Sequence, residues 1–299
     1  MTLKGLFLCL VFLLCNATSH AADDLITRQV TIKLDKAGTL PDKIGSSKKY
    51  KITNLKIVGE INGTDWRLIC DMASEDDYGR TKGKLSTLDL SDAKIVGGGN
   101  SYINIDGNSY YTSNDKLGNY AFYDCRVLTN LTIPSSVTSI GESAFEYCRG
   151  LTSLTIPSSV TSIGESAFKG CSGLTSLTIP SGVTSIGSYA FYGCSGLTSI
   201  YVYLEKTPKL GKDIFKECDA KICTVYVPTG TSDAYKSSEF GCFENIVEFD
   251  ATGIDKVATS TNAKEVSRYS ANGQRLSAPA KGLNIVKYSD GSVKKVVVQ

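Results

Sequence analysis

The chain has 299 residues, with 32 basic and 30 acidic side chains and a single histidine. This near-neutral balance, without basic runs, gives no electrostatic footprint for nucleic acid, so a nucleic-acid partner is not expected. Beyond the first residues, no apolar run approaches the roughly 20 residues that a membrane-spanning helix needs. The length fits one elongated domain or two compact ones.

The first residues are typical of a secretory signal peptide. Lys4 precedes the short apolar run LFLCLVFLL, and small residues follow up to Ala21 and Ala22. This pattern predicts removal of residues 1–21 and export of the remainder to the cell surface or medium, without a transmembrane segment in the mature chain. Lipid anchoring through Cys15 stays open as an alternative, although Leu14 is bulkier than the small residue that usually precedes a lipidated cysteine.

Cleavage at this position also removes His20, the only histidine. Ser-His-Asp and Cys-His catalysis both need an imidazole that titrates near neutral pH, so both are excluded for such a mature chain. Carboxylates such as Glu142 and Glu165 recur once per repeat, which is typical of scaffold and not of a catalytic pair. The sequence therefore predicts a protein that is not an enzyme, with no catalytic residue, metal ligand or cofactor.

Residues 22–84 are expected to form an α+β N-terminal cap. Thr64 or Asp65 is placed to cap a helix that begins with the only tryptophan, Trp66. Trp66 is expected in the core, because large aromatic side chains dominate burial in small caps.

The most informative feature is an internal repeat. The fifteen letters LTIPSSVTSIGESAF occupy residues 131–145 and return unchanged at 154–168, and units begin every 23 residues at Leu128, Leu151, Leu174 and Leu197. A fixed period of this length predicts a solenoid, in which stacked units share one core. Leu154 and Ile156 alternate with polar residues as in a short strand, and Ile163, Ala167 and Cys171 recur every four residues, which favours helical or 3-10 turns.

The unit resembles the bacterial surface leucine-rich repeat of the BspA-like type, first associated with a Bacteroides surface antigen. The resemblance rests on ten positions that recur in phase: Leu151, Leu154, Ile156, Pro157, Val160, Ile163, Gly164, Ala167, Phe168 and Cys171. It implies a leucine-rich repeat solenoid of short parallel strands with short helical or 3-10 returns, and adhesion to extracellular proteins.

Weaker units flank the strong ones, as the ends of an array require. The solenoid with its C-terminal cap is therefore assigned to residues 85–250, with an insertion at 97–116. The insertion mixes Tyr102, Tyr110 and Tyr111 with Gly, Ser and Asn, a composition that recognition loops also use.

Residues 251–299 change in character and are expected to form a small C-terminal β segment. An Asn-Gly pair at 272–273 and an Asp-Gly pair at 290–291 predict two hairpins. The segment also resembles the β tails of secreted Bacteroidota proteins, some of which act as sorting signals.

Export invites a disulfide interpretation of the eight remaining cysteines. Cys125, Cys148, Cys171, Cys194 and Cys218 occupy one position of the repeat, where a small buried residue is expected, so we predict free buried thiols there. Pairing among Cys70, Cys223 and Cys242 stays open.

Function is expected on the outward side chains of the repeat strands. Most of these are Ser or Thr, but Tyr201, Tyr203 and Tyr226 fall on neighbouring units and predict an aromatic patch. The leading interpretation is a secreted or surface-displayed binding module for an extracellular protein or glycan. The alternative is a structural spacer with no ligand of its own.

Overall fold

We describe the fold from a computed structural model of the chain. Residues 25–74 and 83–250 are described throughout, together with the strands between 265 and 298 and Ala278. The expected signal peptide, 1–21, lies outside these residues. Within them, no helix is both long enough and apolar enough to cross a membrane.

Most strands belong to two parallel sheets that run the length of the array. The larger sheet has nine strands in the order β1-β2-β3-β7-β9-β11-β13-β15-β16, and the smaller has five in the order β14-β12-β10-β8-β6. The nine strands are β1 Val30–Lys33, β2 Asn54–Ile61, β3 Thr87–Ile95, β7 Asn130–Thr132, β9 Ser153–Thr155, β11 Ser176–Ile179, β13 Ser199–Val202, β15 Thr224–Pro228 and β16 Asn245–Phe249. The five are β6 Lys116–Leu117, β8 Ser139–Ile140, β10 Ser162–Ile163, β12 Ser185–Ile186 and β14 Lys209–Leu210.

Each 23-residue unit forms one rung with three sides. The first side is a strand of the nine-stranded sheet, the second is a two-residue strand of the five-stranded sheet, and the third is a series of turns. The register is preserved from rung to rung, as in Leu154 beside Leu177 and Ile163 beside Ile186. The predicted solenoid of short parallel strands is therefore confirmed.

The returns between the strands are turns and not the helical or 3-10 segments that the spacing predicts. Ile163 lies in β10, and the third side consists of turns in which backbone N–H groups alternate between two kinds of partner. Phe145 donates to the carbonyl of Ala167 in the next rung at 2.7 Å, whereas Glu146 donates within its own turn to Ser143 at 3.1 Å. Ser143, whose carbonyl accepts this bond, takes a positive φ of 50°. The rungs are thus joined by hydrogen bonds on all three sides.

Glycine follows each interior strand of the five-stranded sheet because neighbouring rungs approach closely there. A Cβ atom at Gly164 would lie 2.5 Å from the carbonyl carbon of Gly141. The Ile-Gly pair in the repeat therefore records a packing requirement of the stack.

A row of phenylalanines fills the core from end to end. Phe122, Phe145, Phe168, Phe191 and Phe215 stack with ring centroids 4.9 to 5.5 Å apart and planes within 11°. Trp66 covers the first ring at 5.0 Å, which confirms its predicted place in the core, and its Nε1 donates to the carbonyl of Ala121 at 2.6 Å. Phe240 and Phe243 cover the last ring.

The N-terminal segment adds three helical or strand elements that the sequence did not reveal. The strands β1 and β2 extend the nine-stranded sheet in parallel, with helix α1, Leu40–Ile44, between them. Helix α2, Gly63–Ala73, begins earlier than predicted, because Asn62 is its N-cap and accepts from the N–H of Thr64. Asp65 completes a capping box and also accepts from Gly38 and Leu40, so this carboxylate joins both helices.

The insertion is a hairpin and not an irregular loop. Strands β4, Gly98–Ile105, and β5, Asn108–Thr112, pair antiparallel around Asp106 and Gly107, both with positive φ. Such a two-residue turn matches the twist of the strands that it joins.

The C-terminal end of the array contains helix α3, Ser232–Lys236, and a 3-10 turn, Glu239–Cys242, before β16. Beyond it, a separate four-stranded antiparallel sheet has the order β18-β17-β19-β20. Its strands are β17 Glu265–Ser270, β18 Arg275–Leu276, β19 Gly282–Tyr288 and β20 Val293–Val298. The pairings β17–β18 and β19–β20 agree with the two predicted hairpins, whose turn residues lie outside the described ones.

Candidate binding surface

The outward face of the nine-stranded sheet, which we call the sheet face, carries side chains in aligned columns. Because the strands are parallel and in register, each outward residue has its counterparts directly beside it. One column contains Asn54, Thr87, Asn130, Ser153, Ser176, Ser199, Thr224 and Asn245; the next contains Lys56, Asp89, Thr132, Thr155, Thr178, Tyr201, Tyr226 and Val247. Along the second column the chemistry changes from charged to hydroxylated to aromatic.

The charged end is an ion-pair cluster around Lys56. Its Nζ lies 2.7 Å from Asp92 and 3.1 Å from Asp89, and it also donates to the Ser91 hydroxyl. Hydrogen bonds to Asp92 and Asp89 raise the pKa of Lys56. The ammonium group of Lys56 and the two carboxylates at this end are thus paired with one another.

The middle of the face is shallow and carries short side chains. A groove of about 440 Å³ runs over the first two complete rungs and is lined by Asn130, Leu131, Thr132, Ile133, Ser135, Ser153, Thr155 and Pro157. Neither carboxylate nor amine lines it, so this zone offers hydroxyl groups and small apolar surface.

The aromatic end brings together the tyrosines that the sequence singled out. The rings of Tyr201 and Tyr226 stack with centroids 4.6 Å apart and planes within 8°. Tyr203 lies edge-on to Phe249 at 5.3 Å, and Tyr201 contacts the same ring at 6.4 Å. All four are half-buried. We call Tyr201, Tyr203, Tyr226 and Phe249 the aromatic cluster; the sequence did not reveal Phe249, because β16 is not a regular repeat unit.

One face of the Tyr201 ring has no aromatic neighbour in its column. Tyr226 covers one side of it, and its neighbour on the other side in the register is Thr178. A threonine side chain is too short to cover a phenol ring, so on this side the aromatic cluster borders on the shorter Ser and Thr side chains of the preceding rungs. Burial raises the pKa of Tyr201, so its hydroxyl stays protonated further into the alkaline range than that of an exposed tyrosine.

The three tyrosines of the insertion occupy different environments. Tyr102 is buried, with its hydroxyl donating to the carbonyl of Asn119 at 2.6 Å, so it stabilises the hairpin. Tyr110 is half-buried against Tyr120, with ring centroids 4.9 Å apart. Tyr111 is 58% exposed and is the insertion tyrosine that offers contact area to solvent.

Tyr110 belongs to a tyrosine row on the turn side that the sequence analysis missed. Tyr110, Tyr120, Tyr123 and Tyr147 contact one another in sequence, at centroid distances of 4.9, 5.7 and 6.0 Å. Lys169 lies at the end of the row. Its Nζ is positioned over the Tyr147 ring and forms an ion pair with Oε1 of Glu146 at 2.9 Å. Tyrosine at a turn position carries no periodic signal, which is why only the stacked structure reveals the row.

The eight cysteines among the described residues are free. Cys125, Cys148, Cys171 and Cys194 are buried and Cys218 is half-buried, as the repeat position predicts. Cys70 is half-buried, Cys223 is buried and Cys242 is exposed. The thiols of Cys148, Cys171, Cys194 and Cys218 donate to carbonyls of the preceding rung, as Cys148 does to Phe122 at 3.0 Å.

Comparison with known proteins identifies the repeat. Residues 115–246 match the family described as the BspA type leucine rich repeat region, in six copies. No curated protein matches the chain.

Several solved bacterial structures are similar. A leucine-rich cell surface protein from Faecalibacterium prausnitzii A2-165 is 22% identical, with 83% of this chain and 52% of that chain covered and a TM-score of 0.38. A leucine-rich repeat protein of T. pallidum is 21% identical over 41% of this chain and 70% of its own, with a TM-score of 0.28. One from Bacteroides ovatus ATCC 8483 is 16% identical over 56% and 62%, with a TM-score of 0.23.

This chain thus spans little more than half of the Faecalibacterium chain. The matched residues contain strands β7, β9, β11, β13 and β15 of the larger sheet and all five strands of the smaller one. Residues 115–246 of this chain are thus similar in sequence to the BspA type leucine rich repeat region and form stacked rungs.

Proposed function

We propose that the chain is an exported or surface-displayed binding module whose anchor is the aromatic cluster on the sheet face. Four aromatic rings lie together at the C-terminal end of the sheet, whereas the preceding rungs carry Thr in the column of Tyr201 and Tyr226 and Pro at the position of Tyr203. This departure from the repeat is the observation that carries the proposal. Tyrosine and phenylalanine supply large contact area at low cost in side-chain entropy.

The partner is an extracellular protein or a glycan, with the ring face of Tyr201 that has no aromatic neighbour in its column and the adjacent hydroxyl groups as the first contacts. Both partner classes suit this chemistry, because a phenol ring packs against apolar side chains and sugar rings while hydroxyl groups bond to either. Repeat architectures present extended surfaces to partners in this way. No catalytic step is assigned to the surface.

The test is binding of the full exported chain to immobilised extracellular-matrix proteins, mucins and glycans. The variant Tyr201→Ser/Tyr203→Ser/Tyr226→Ser should lose saturable binding by at least about tenfold, as expected when hot-spot aromatics are truncated. Tyr189→Ser is the matched control, since Tyr189 is an exposed tyrosine on the turn side, and it should bind as the parent does.

Two outcomes would contradict the proposal. Binding that survives the triple variant but is lost in Tyr111→Ser would move the site to the insertion hairpin. No saturable binding to any partner class would favour the structural spacer, for which the identical rungs alone provide length.

A further inference from the structure

The outer edge of β16 lacks the protection that both edges of the five-stranded sheet and the first edge of the nine-stranded sheet have. In the five-stranded sheet, the first column of residues reads Lys116, Ser139, Ser162, Ser185, Lys209, so lysine stands at both edge strands and serine at the interior ones. Lysine at an edge strand opposes pairing with a copy of the same strand or with any strand that lacks complementary acidic residues. The first edge of the nine-stranded sheet, β1, is four residues long and ends in the exposed Lys33.

By contrast, β16 is a regular five-residue strand without lysine, proline or a bulge. Its polar side chains are bonded back toward the array. Asn245 donates to the carbonyl of Lys221 at 3.2 Å, and Glu248 accepts from the N–H of Ser232 at 3.1 Å. Val247, at the centre of the strand, is 46% exposed. A strand with these properties is a template for a further strand.

The segment that contains this edge strand is acidic. Residues 239–250 contain Glu239, Glu244, Glu248 and Asp250 and no basic residue. A strand that pairs with β16 is therefore favoured if it is apolar and basic.

The chain itself contains such a strand. β20 has the sequence VKKVVV, with two lysines and no acidic residue, and it is the last strand of the four-stranded sheet. Residues 265–298 as a whole contain six basic and two acidic residues, so the segment is positively charged. β20 has one partner, β19, among the described strands, and none of those strands pairs with its other edge.

We propose that β20 of the same chain pairs with the outer edge of β16 and closes the nine-stranded sheet. The 15 residues between β16 and β17 can span up to about 50–54 Å when extended, at ~3.3–3.6 Å per residue. A tethered strand acts at an effective concentration of the order of mM, which favours the chain's own strand over that of another molecule. The proposal does not depend on the binding role of the aromatic cluster. The docked strand would lie beside Val247, which is the neighbour of Tyr226 in the register, and would so control access to Tyr226.

Hydrogen–deuterium exchange of the full chain tests the pairing. The strand amides of the peptide 239–249 should all exchange slowly in the parent. In Lys294→Glu/Lys295→Glu they should exchange at least about tenfold faster, because the outward N–H groups lose their acceptors and like charges face one another. The control variant, Lys281→Glu/Lys287→Glu, has the same change of charge outside β20 and should keep the parent's protection.

Two further measurements separate a lost contact from an unfolded tail. The exchange of β19 reports whether the four-stranded sheet persists in each variant. Raising the salt concentration of the parent to about 1 M should expose 239–249 while β19 stays protected, because screening weakens surface charge attraction.

Three results would overturn the proposal. The outward amides of β16 could exchange rapidly in the parent, or the two charge variants could behave alike. If β16 were protected only at concentrations at which light scattering shows a dimer, the edge would be assigned to a second copy of the chain. Loss of partner binding in the tyrosine variant would leave this result unaffected.

Discussion

The thiol of Cys171 donates to the backbone carbonyl of Phe145, one rung before it, with 3.0 Å between sulfur and oxygen. The same contact joins Cys194 to Phe168 at 3.1 Å and Cys218 to Phe191 at 3.3 Å. The cysteine position of the repeat therefore does more than fill space, since it supplies a hydrogen bond between rungs inside the core. A disulfide would remove this donor, which gives a physical reason for the free thiols of this core.

These thiols predict a loss of stability at alkaline pH. Burial raises the pKa of Cys148 and Cys171 far above that of an unfolded thiol, about 8.5, so the folded state keeps its protons when the unfolded state loses them. Their contribution is complete below about pH 8.5 and declines as pH rises above it. Urea unfolding at about pH 7.5 and about pH 9.5 should show this decline.

The control for this effect is Cys148→Ala/Cys171→Ala. It should be less stable than the parent at neutral pH, but its stability should change less between the two pH values. A decline as steep as that of the parent would show that lysine and tyrosine titration, and not these thiols, is responsible.

The stacked phenylalanines predict where the array is most sensitive to mutation. Phe168→Ala removes a ring that lies 4.9 Å from Phe145 and 5.1 Å from Phe191. It should lower the free energy of unfolding by about 3–5 kcal/mol, the usual cost of deleting a buried aromatic ring. Urea titration measures this, and Tyr189→Ala on the exposed turn side should change stability by no more than about 0.5 kcal/mol. Equal effects would contradict a continuous aromatic core.

The exact repeat predicts that one rung can be removed. Deleting residues 154–176 joins Ser153 to Leu177 and leaves every remaining residue in its own column, because Ser153 pairs with Ser176. The shortened chain should unfold cooperatively with a smaller urea m-value, since less surface becomes exposed. Deleting residues 154–165 instead shifts strand residues into the turn side and should abolish the cooperative transition. A failure of the 23-residue deletion to fold would show that the rungs are not equivalent.

The edge lysines of the five-stranded sheet predict a solubility effect. Lys116→Val/Lys209→Val removes the charges that end the Lys-Ser-Ser-Ser-Lys column, so exposed edges become free to pair between molecules. Light scattering should show concentration-dependent association with little change in the thermal midpoint. Lys212→Val/Lys216→Val removes two exposed charges from the turn side and should remain dispersed. Association of both variants to the same extent would attribute the effect to net charge.

Much of this architecture is determined by the sequence alone. The 23-residue period, the alternation in Leu154 and Ile156, and the apolar Phe168 and Cys171 are enough to predict stacked rungs, because each unit has an apolar side that only another unit can cover. Free buried thiols and the place of Trp66 in the core follow from the same reasoning about burial.

Other features were decided by the tertiary structure. Ile163, Ala167 and Cys171 are spaced as in a helix, yet the chain turns a corner between them, because the next rung supplies hydrogen-bond partners that an isolated segment would have to find internally. Phe249 contacts Tyr203, and Tyr110 contacts Tyr120, although the segments that carry Phe249 and Tyr110 do not show the 23-residue repeat in sequence. Local spacing specifies which side chains face inward, but only the stacking of distant segments determines which outward side chains meet.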